Sequence, residues 1–476
     1  MIDVGTSSVR AGVVRPDATV SALHRRALPP TIPFPGLVEF DADAMASAAI
    51  EVARAAVAEA GGADAVGVTN QRGSAVVWRA SSGRAVGPGL GWQDLRTVGT
   101  CLELQGGGIR LAPNQSATKV AWLIENHAPD RPDDLRWGTV DAWIVWHLSR
   151  GALHVTDPTN AGITGLLDVS GRGWNEAHHA RLGIPPSATP TLVDTSGMVG
   201  PATALPGHPV IAGIIGDQQA SLLGQGCTRR GSTKITFGTG AMLDMCLGSD
   251  RPSFEGRGPQ GCIPIITRSS GGTVEWGAEA VMLCAGSALD WLVEDLHILS
   301  SAAESETVAA ACDHTDGVVM VPALVGLGTP AWDFGARGTL LGVSRGSGRP
   351  QLVRAVLEGV AQRAADLVEA AAADTGVAVA GLRVDGGMSA NSVFLQAVAD
   401  AVGQPVEVSP ELEATTLGAG FAAGLATGAW KGADDVAATW RPRLVVEPRA
   451  QASRGRWRDA TQRARGWYPE LSALGF

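Results

Sequence analysis

The fold class follows most directly from the stretch Ile2-Asp3-Val4-Gly5-Thr6-Ser7-Ser8-Val9-Arg10, which apolar residues continue to Val14. Two short apolar segments around a turn of small residues predict a β-hairpin. The main-chain N–H groups and hydroxyls of residues 5–8 could bind phosphate oxygens. Asp3 could hold hydrated Mg²⁺, and Arg10 could cover a phosphate. A plain hairpin turn, with a strand-end acid and a surface arginine, explains the same residues.

Beyond this hairpin, helical and strand patterns alternate. Residues 44–60 have the apolar spacing of a helix, and residues 65–68 form a strand that ends in Thr69-Asn70-Gln71-Arg72. Late in the chain, a long amphipathic helix from about residue 352 to 368 precedes the strand 382–384, which ends in Asp385-Gly386-Gly387. This alternation predicts an α/β architecture.

A second hairpin is predicted in the middle of the chain. The strand 234–237, the turn Gly238-Thr239-Gly240 and the strand 242–246 follow a strand over 210–215 and a helix over 218–223. The same strand–turn–strand order in both halves indicates two similar domains. The segment 247–261, rich in Gly, Pro and Ser, is the candidate hinge, so we expect domains at residues 1–246 and 247–476.

Length and composition restrict the possible functions. The chain has 476 residues, enough for two or three domains, and no apolar run approaches the length of a membrane span. The first residues carry no secretion signal, which predicts a cytoplasmic protein. The six scattered cysteines fit reduced thiols. A formal net charge of −10 argues against nucleic acid as a partner.

Two further positions are candidates for chemistry. Asp217 lies between an apolar strand and a predicted helix, where it could cap the helix or act as a catalytic carboxylate facing a cleft. Gly386-Gly387, followed by Asn391 at a helix start, could let an adenine ring lie against the main chain. A tight turn explains these glycines equally well.

In their order along the chain, these segments resemble the FGGY family of carbohydrate kinases, and within it the branch that phosphorylates glycerol. The resemblance covers nearly the whole chain. It includes Asp3 to Arg10, Gly67 to Arg72, Gly91 to Asp94 with Arg96, Ser116 to Lys119 with Trp122, Asp141 to Trp143 with Thr156, Asp157 and Asn160, Gly213 to Gly226, Phe237 to Gly240, Gly326 to Gly328 with Asp333 and Arg337, Gly338 to Glu358, and Asp385 to Gly387 with Asn391.

The resemblance implies two actin-like, ribonuclease-H-like domains with ATP bound in the cleft between them. It also implies phosphoryl transfer to a hydroxyl of a small sugar or polyol, with Asp217 as the general base and with Mg²⁺ held by Asp3 and Asp217. The matching positions are Thr6, Ser7, Arg10, Gly238, Thr239, Gly387 and Asn391 for the nucleotide, and Arg72, Trp92 and Gln218 for the polyol. Such a reaction depends mainly on positioning and on neutralising charge.

Three positions depart from the acceptor pocket of the glycerol-phosphorylating branch. Gly73 stands where an acid is expected, and Asn114 and Met242 stand where aromatic residues are expected. Loss of a buried carboxylate that accepts hydroxyl hydrogen bonds should weaken glycerol binding. We therefore expect free space in the pocket and a preference for a four- or five-carbon polyol or ketose. The alternative is that neighbouring groups refill the space.

Other functions stay open at this point. One is a kinase for a pentulose such as xylulose or ribulose. Another is a catalytically silent sugar-binding or regulatory protein on the same fold, against which the intact Asp3, Arg10 and Asp217 argue. An actin-like filament or chaperone ATPase would leave the polyol-side residues unexplained. The sequence does not determine whether the chain forms a homodimer, or whether residues upstream of the short first strand are missing.

Overall fold

The first sheet begins with the hairpin at the start of the chain. The computed structural model describes residues 1–410 and 414–475. The strands of this sheet are β1 (Ile2–Val4), β2 (Ser8–Val14), β3 (Val20–Ala27), β5 (Ala65–Asn70), β12 (Ser196–Pro201) and β13 (Val210–Gly216). They lie in the order β12-β13-β5-β1-β2-β3. Because β1, β5 and β13 run parallel, their carboxyl ends meet at one edge of the sheet.

The second sheet repeats this plan. Its strands are β14 (Thr233–Phe237), β15 (Ala241–Gly248), β16 (Ile263–Ser270), β17 (Thr273–Met282), β20 (Leu382–Asp385), β21 (Val406–Val408) and β22 (Leu444–Val446), in the order β16-β17-β15-β14-β20-β21-β22. As in the first sheet, the first strand of a hairpin pairs on its other side with a parallel strand, here β20, and that strand pairs in turn with a second parallel strand, here β21. The two similar α/β halves expected from the sequence are confirmed.

Short strands and helices complete the fold. The short strands are β4 (Glu39–Phe40), β6 (Val76–Arg79), β7 (Arg84–Ala85), β8 (Gly89–Leu90), β9 (Leu135–Gly138), β10 (Val155–Thr156), β11 (Thr191–Leu192), β18 (Val319–Val321) and β19 (Thr339–Leu341). The helices are α1 (Ala42–Ala60), α2 (Val98–Gly106), α3 (Ser116–His127), α4 (Val140–Leu148), α5 (Pro158–Ala161), α6 (Glu176–Leu182), α7 (Asp217–Gly224), α8 (Ser287–Asp290), α9 (Glu304–Ala310), α10 (Arg349–Thr375), α11 (Ser392–Val402), α12 (Ala414–Thr427), α13 (Ala433–Thr439), α14 (Arg454–Ala464) and α15 (Pro469–Ser472). Within the described residues, no helix combines the length and the apolarity needed to cross a bilayer.

The chain passes from the first sheet to the second at a different place from the domain boundary expected from the sequence. The boundary expected at residue 246 falls inside β15, which pairs with β14 and β17 of the second sheet. The chain passes between the sheets earlier, between α7 and β14. The segment 247–261, expected to be the hinge, connects β15 to β16 within the second sheet, so it does not link the two sheets.

Helix α12 returns the chain to the first sheet. It packs on β5, β13 and α7, although it follows most of the second sheet in sequence. Glycines allow this close approach: a Cβ at Gly67 on β5 would lie 2.0 Å from the main-chain oxygen of Ala419, and one at Gly213 on β13 would lie 2.6 Å from the nitrogen of Ala423. The carboxyl-terminal part of the chain therefore contributes to the core of the first half.

Candidate active site

Polar residues converge at the carboxyl edge of the first sheet. Asp3 lies on β1, Arg72 follows β5 and Asp217 follows β13. Both Val4 of β1 and Gly216 of β13 pair with the last residue of β5, so the three strands end at the same level. The structure thus brings together predicted site residues that are up to 214 positions apart in the sequence (217 − 3).

Asp217 is the first residue of α7, and 31% of its side chain is exposed. The N-cap of this helix is Gly216, so the alternative that Asp217 is the N-cap is wrong. A Cβ at position 216 would lie 2.7 Å from Cδ of Arg72, so the glycine lets this arginine approach Asp217. Burial raises the pKa of the Asp217 carboxyl above its ordinary value, and the Arg72 guanidinium opposes that rise. A carboxylate in these surroundings can accept a proton from a neighbouring hydroxyl.

Arg72 connects Asp217 to the second sheet. Its Nε lies 3.3 Å from Oδ1 of Asp217, and its Nη2 lies 2.6 Å from Oε2 of Glu279 on β17. Burial disfavours the charge of Arg72, but the neighbouring carboxylates outweigh it and raise the pKa of the guanidinium. Within the described residues, the buried Nη1 has no hydrogen-bond partner. An unused donor at this position can bind a substrate hydroxyl.

Three buried residues of the second sheet complete this network, and the sequence analysis missed all of them. They are Lys234, Asp244 and Glu279. Lys234 Nζ lies 2.8 Å from Oδ2 of Asp244 and donates to Oε1 of Gln218 at 2.6 Å. Burial raises the pKa of Glu279, Arg72 opposes the rise and Asp244 adds to it. Oε1 of Gln218 accepts this hydrogen bond from Lys234, which leaves both N–H donors of the Gln218 amide for a polyol hydroxyl.

One feature of the sequence could have pointed to Lys234. Among 37 basic residues the chain has lysine only at positions 119, 234 and 431. Lys119 and Lys234 are both completely buried in the fold. At two of the three lysines, Lys119 and Lys234, acceptors enclose a compact ammonium, a position that suits lysine better than arginine.

The first hairpin turn, residues 5–8, lies beside Trp92, one of the residues predicted to bind the polyol. The indole Nε1 of Trp92 donates to Oγ1 of Thr6 at 3.2 Å. Arg10 Nη2 lies 2.9 Å from Oδ2 of Asp3, and Ser7 is exposed at the tip of the turn. The residues predicted to bind phosphate and one of those predicted to bind the polyol therefore form one surface.

The second hairpin turn adjoins the turn after β20. A Cβ at Gly386, whose φ is +88°, would lie 2.3 Å from the main-chain oxygen of Phe237, so glycine permits this approach. Gly238 and Thr239 follow Phe237 directly and are exposed. A Cβ at Gly387 would meet nothing within 4 Å, which leaves room for a ligand there.

Asn391 has a structural role in addition to its predicted contact with adenosine. It is the N-cap of α11, and its side chain accepts a hydrogen bond from the N–H of Phe394 at 2.9 Å. Its Nδ2 donates to Oγ of Ser305 at 3.1 Å. Both polar ends of the side chain have protein partners, and the adenosine contact stays a prediction.

The space expected at Gly73 is filled by main chain. Gly73 has a φ of +71°, and a Cβ there would lie 2.4 Å from the main-chain oxygen of Asn114 and 3.5 Å from Cβ of Trp92. The expectation of an enlarged pocket at this position is wrong, because the loop before α3 lies directly against Gly73. Met242 borders the same region, with its Sδ 3.8 Å from Nη2 of Arg72. The prediction of a larger substrate loses its main support.

The residues present fit Mg²⁺ only in company with a nucleotide. In residues 1–410 and 414–475, no three His, Cys, Asp or Glu side chains gather into a group that could hold a metal ion. Mg²⁺ commonly binds one or two carboxylates and completes its octahedron with water and substrate phosphates. Asp3 on β1 and Asp217 after β13 are carboxylates of the kind that such a partial site uses, and their role as Mg²⁺ ligands stays a prediction.

The fold consists of two similar α/β halves, each with a hairpin whose first strand pairs on its other side with a parallel strand. Comparison with known proteins identifies the family. Residues 1–224 match the N-terminal domain of the FGGY family of carbohydrate kinases, and residues 233–427 match its C-terminal domain. The chain belongs to this family. It is a carbohydrate kinase that uses ATP to phosphorylate a small sugar or polyol.

Individual relatives agree with this assignment. The chain is 40% identical to a glycerol kinase from Aromatoleum aromaticum and 39% identical to one from Trichlorobacter lovleyi, in each case over 98% of both chains. Among solved structures, Plasmodium falciparum glycerol kinase with ADP superposes with a TM-score of 0.89 at 25% identity, covering 100% of this chain and 98% of the other. A xylulose kinase from Rhodospirillum rubrum superposes with a TM-score of 0.85 at 25% identity, covering 99% of both chains.

Proposed function

We propose that the protein transfers the γ-phosphoryl group of Mg-ATP to a hydroxyl of a small polyol, with glycerol as the first candidate acceptor. The observation that supports this proposal most strongly is the pairing of Asp217 with Arg72, 3.3 Å apart. A carboxylate that can take a proton thus adjoins a guanidinium with an unused donor. One group suits activation of a hydroxyl, and the other suits holding it in place.

The reaction proceeds by attack of the acceptor oxygen on the γ-phosphorus. Asp217 takes the hydroxyl proton as the new O–P bond forms. The bond between the γ-phosphorus and the β,γ-bridging oxygen breaks, and its electron pair leaves with ADP. Arg72, Trp92 and Gln218 hold the polyol so that its hydroxyl oxygen lies in line with the breaking bond.

The phosphates are held from both hairpin turns in this proposal. Thr6, Ser7 and Arg10 contact the γ-phosphate, and Gly238 and Thr239 contact the other phosphates. Asp3 and Asp217 would hold Mg²⁺, which neutralises charge on the phosphate oxygens when bound. Approach of the two domains excludes water, which otherwise competes as the acceptor.

Glycerol is preferred over longer acceptors for two reasons. The relatives that are about 40% identical over the whole chain are named glycerol kinases. In addition, the Asn114 main chain occupies the position of a Cβ at Gly73, which removes the argument from Gly73 for a longer substrate. A pentulose such as xylulose is the second candidate, because a xylulose kinase is as similar to this chain in sequence as the solved glycerol kinase is, at 25% identity.

The test is acceptor-dependent release of ADP with glycerol, erythritol, xylulose, ribulose and gluconate. We expect glycerol to give a kcat/KM at least about tenfold above the others, as in an enzyme that acts like the glycerol kinases to which the chain is about 40% identical. A preference for xylulose or ribulose would replace glycerol by the second candidate. Steady ATP turnover without any acceptor, or no turnover with any of them, would contradict the proposal.

We place this reaction in the cytoplasm. All six cysteines are free thiols, and five of them are buried. The reducing cytoplasm keeps such thiols unpaired.

A further inference from the structure

A buried lysine joins the three loops that surround the proposed acceptor pocket. Lys119 lies in the first turns of α3 and has no exposed surface. Its Nζ donates to the main-chain oxygens of Gly73 at 2.8 Å, Gly91 at 3.0 Å and Asn114 at 3.4 Å. These oxygens belong to three separate loops that are 18 and 23 positions apart in sequence (91 − 73 and 114 − 91).

The three contacts use the whole hydrogen-bonding capacity of the ammonium group. An ammonium has three N–H donors and no acceptor, and here each donor has one carbonyl. No carboxylate in the described part of the chain forms an ion pair with Lys119, because nearby Asp94 pairs with Arg96. Burial lowers the pKa of Lys119 to about 7. The group is therefore held in the fold by main-chain acceptors, at an electrostatic cost.

Each carbonyl lies next to a residue of the proposed acceptor site. Gly73 follows Arg72, Gly91 precedes Trp92, and Asn114 is itself one of the predicted pocket positions. The Gly91 carbonyl shares a rigid peptide plane with Trp92, and the Asn114 carbonyl belongs to the pocket residue itself. The Gly73 carbonyl lies one residue beyond Arg72, so a shift of this carbonyl reaches Arg72 through the Gly73 main chain.

Two other contacts fix the same loops against each other. A Cβ at Gly73 would lie 2.4 Å from the Asn114 oxygen, so the two loops touch through their main chains. Oγ of Ser116 donates to the main-chain oxygen of Ser74 at 3.0 Å. Because the loops approach so closely, the main-chain oxygens of Gly73 and Asn114 both accept hydrogen bonds from the Lys119 ammonium. Without this ammonium, the two buried oxygens would lie next to each other with no donor.

We propose that Lys119 is a positioning residue for the acceptor: its ammonium sets the spacing of Arg72, Trp92 and Asn114 and thereby the affinity for the polyol. The inference rests on the proposed function, because it assumes that these three residues surround the acceptor. It assigns Lys119 no direct contact with the substrate or the nucleotide. The nucleotide-side turns at Gly238 and Gly387 belong to the second sheet, whereas the phosphate-side Thr6 accepts a hydrogen bond from Trp92 of the first half.

The first test compares Lys119→Met and Lys119→Arg with wild type, and Lys431→Met is the matched control at an exposed lysine. Methionine has a side chain of similar length but no hydrogen-bond donor. Arginine keeps the positive charge, but its planar guanidinium cannot donate to three carbonyls arranged around a single nitrogen. We expect KM for the acceptor to rise by at least about tenfold in both variants, since displacements near 1 Å cost this much or more. KM for ATP should rise clearly less than KM for the acceptor, since the loops reach the phosphate side through the contact of Trp92 with Thr6, and the control should match wild type.

The second test needs no turnover. Hydrogen exchange of main-chain amides, followed by mass spectrometry, compares the folded Lys119→Arg variant with wild type. We expect faster exchange in peptides covering residues 72–75, 91–95 and 112–116, and unchanged exchange in the turn 238–240. If wild type phosphorylates no acceptor, the proposed function fails, and this exchange pattern still decides whether Lys119 holds the loops.

Two results would overturn the inference. One is a folded variant with an unchanged acceptor KM or unchanged exchange in all three loops. The other is an equal rise in the KM values for acceptor and ATP, because that pattern indicates a general loss of structure. If Lys119→Met does not fold, the Arg variant alone decides between these results.

Discussion

At the level of single residues, the charged groups of the cleft are held by one another. Asp217 is paired with Arg72, Arg72 with Glu279, and Lys234 with Asp244. A buried charge is tolerated when a partner of opposite sign and hydrogen bonds compensate for the lost water. Each substitution in this network therefore affects a neighbour as well as the residue changed.

Asp217→Asn tests the proposed base directly. The amide keeps the size of the side chain but cannot take up the hydroxyl proton, so we expect kcat to fall by about 10²-fold or more. Binding of ADP, measured by calorimetry, should be retained. Asp64→Asn, at an exposed aspartate, is the control and should match wild type. A variant that kept more than about a tenth of wild-type kcat would show that Asp217 is not the base.

The buried carboxyl group of Asp141 should make the stability of the protein depend on pH. It is completely buried, and Oδ2 accepts a hydrogen bond from Thr156 at 2.6 Å. Burial and neighbouring Asp157 raise the pKa of Asp141 to about 7. Between about pH 4 and pH 7, the folded state holds a proton that the unfolded state has released, so the free energy of unfolding falls as the pH rises through this window.

Asp141→Asn should remove this contribution. Urea unfolding at pH 5 and pH 8 measures it: relative to the variant, wild type should lose about 1–3 kcal/mol between the two pH values. The exposed Asp133→Asn controls for other titrating groups and should follow wild type. Parallel changes in wild type and Asp141→Asn would contradict the prediction.

At the level of secondary structure elements, glycines determine how closely α12 approaches the first half. A Cβ at Gly418 on α12 would lie 1.8 Å from the main-chain oxygen of Ala220 on α7, and one at Gly224 on α7 would lie 1.9 Å from the oxygen of Ala414. The two helices therefore contact each other through their backbones. Since α7 begins with Asp217, this packing also fixes the position of the proposed base.

Gly418→Ala should force these helices apart. We expect a loss of about 1–3 kcal/mol in the free energy of unfolding, which is typical of overpacked sites, together with a lower kcat. Gly455→Ala on α14 is the control, because a Cβ there meets nothing within 4 Å. It should be neutral or stabilise by up to about 1 kcal/mol, as alanine favours helix over glycine. Equal stabilities of the two variants in urea unfolding would refute the packing argument.

At the level of the whole molecule, side chains join the two sheets at several points. Arg72 reaches Glu279 of the second sheet from the end of β5. Thr195 and Ser269 exchange two hydrogen bonds, at 3.0 and 2.9 Å, between the start of β12 and β16. The contact nearest to the proposed acceptor is the one made by Arg72, so it links the relative position of the domains to substrate binding.

Glu279→Gln should separate acceptor binding from nucleotide binding. The amide removes the charge that holds Arg72, and we expect KM for the acceptor to rise by about tenfold, with KM for ATP within about twofold of wild type. Glu275→Gln is the matched control, because Glu275 lies on the same strand but pairs with Arg268 of the neighbouring strand β16. An equal rise in both KM values would mean that the ion pair stabilises the fold without positioning Arg72.

The sequence by itself determined the elements and the class of the protein. The hairpin at residues 2–14, the helix that begins after Asn391 and the strand before Asp217 depend on residues that are close together in the chain, so their patterns are visible without a structure. The ordered motifs of the family pointed in the same way to a carbohydrate kinase, and the comparisons confirm that class.

Only the tertiary structure shows how the residues around the proposed acceptor pocket contact one another. Arg72 and Glu279 are 207 positions apart, and no local pattern predicts that they meet. The Asn114 carbonyl fills the space beside Gly73, although residue types alone suggested an empty pocket. Lys119 is one residue of an ordinary helix until two distant loops and the loop before its own helix enclose it. These features depend on the distances between separate loops, and such distances are fixed only when the whole chain packs.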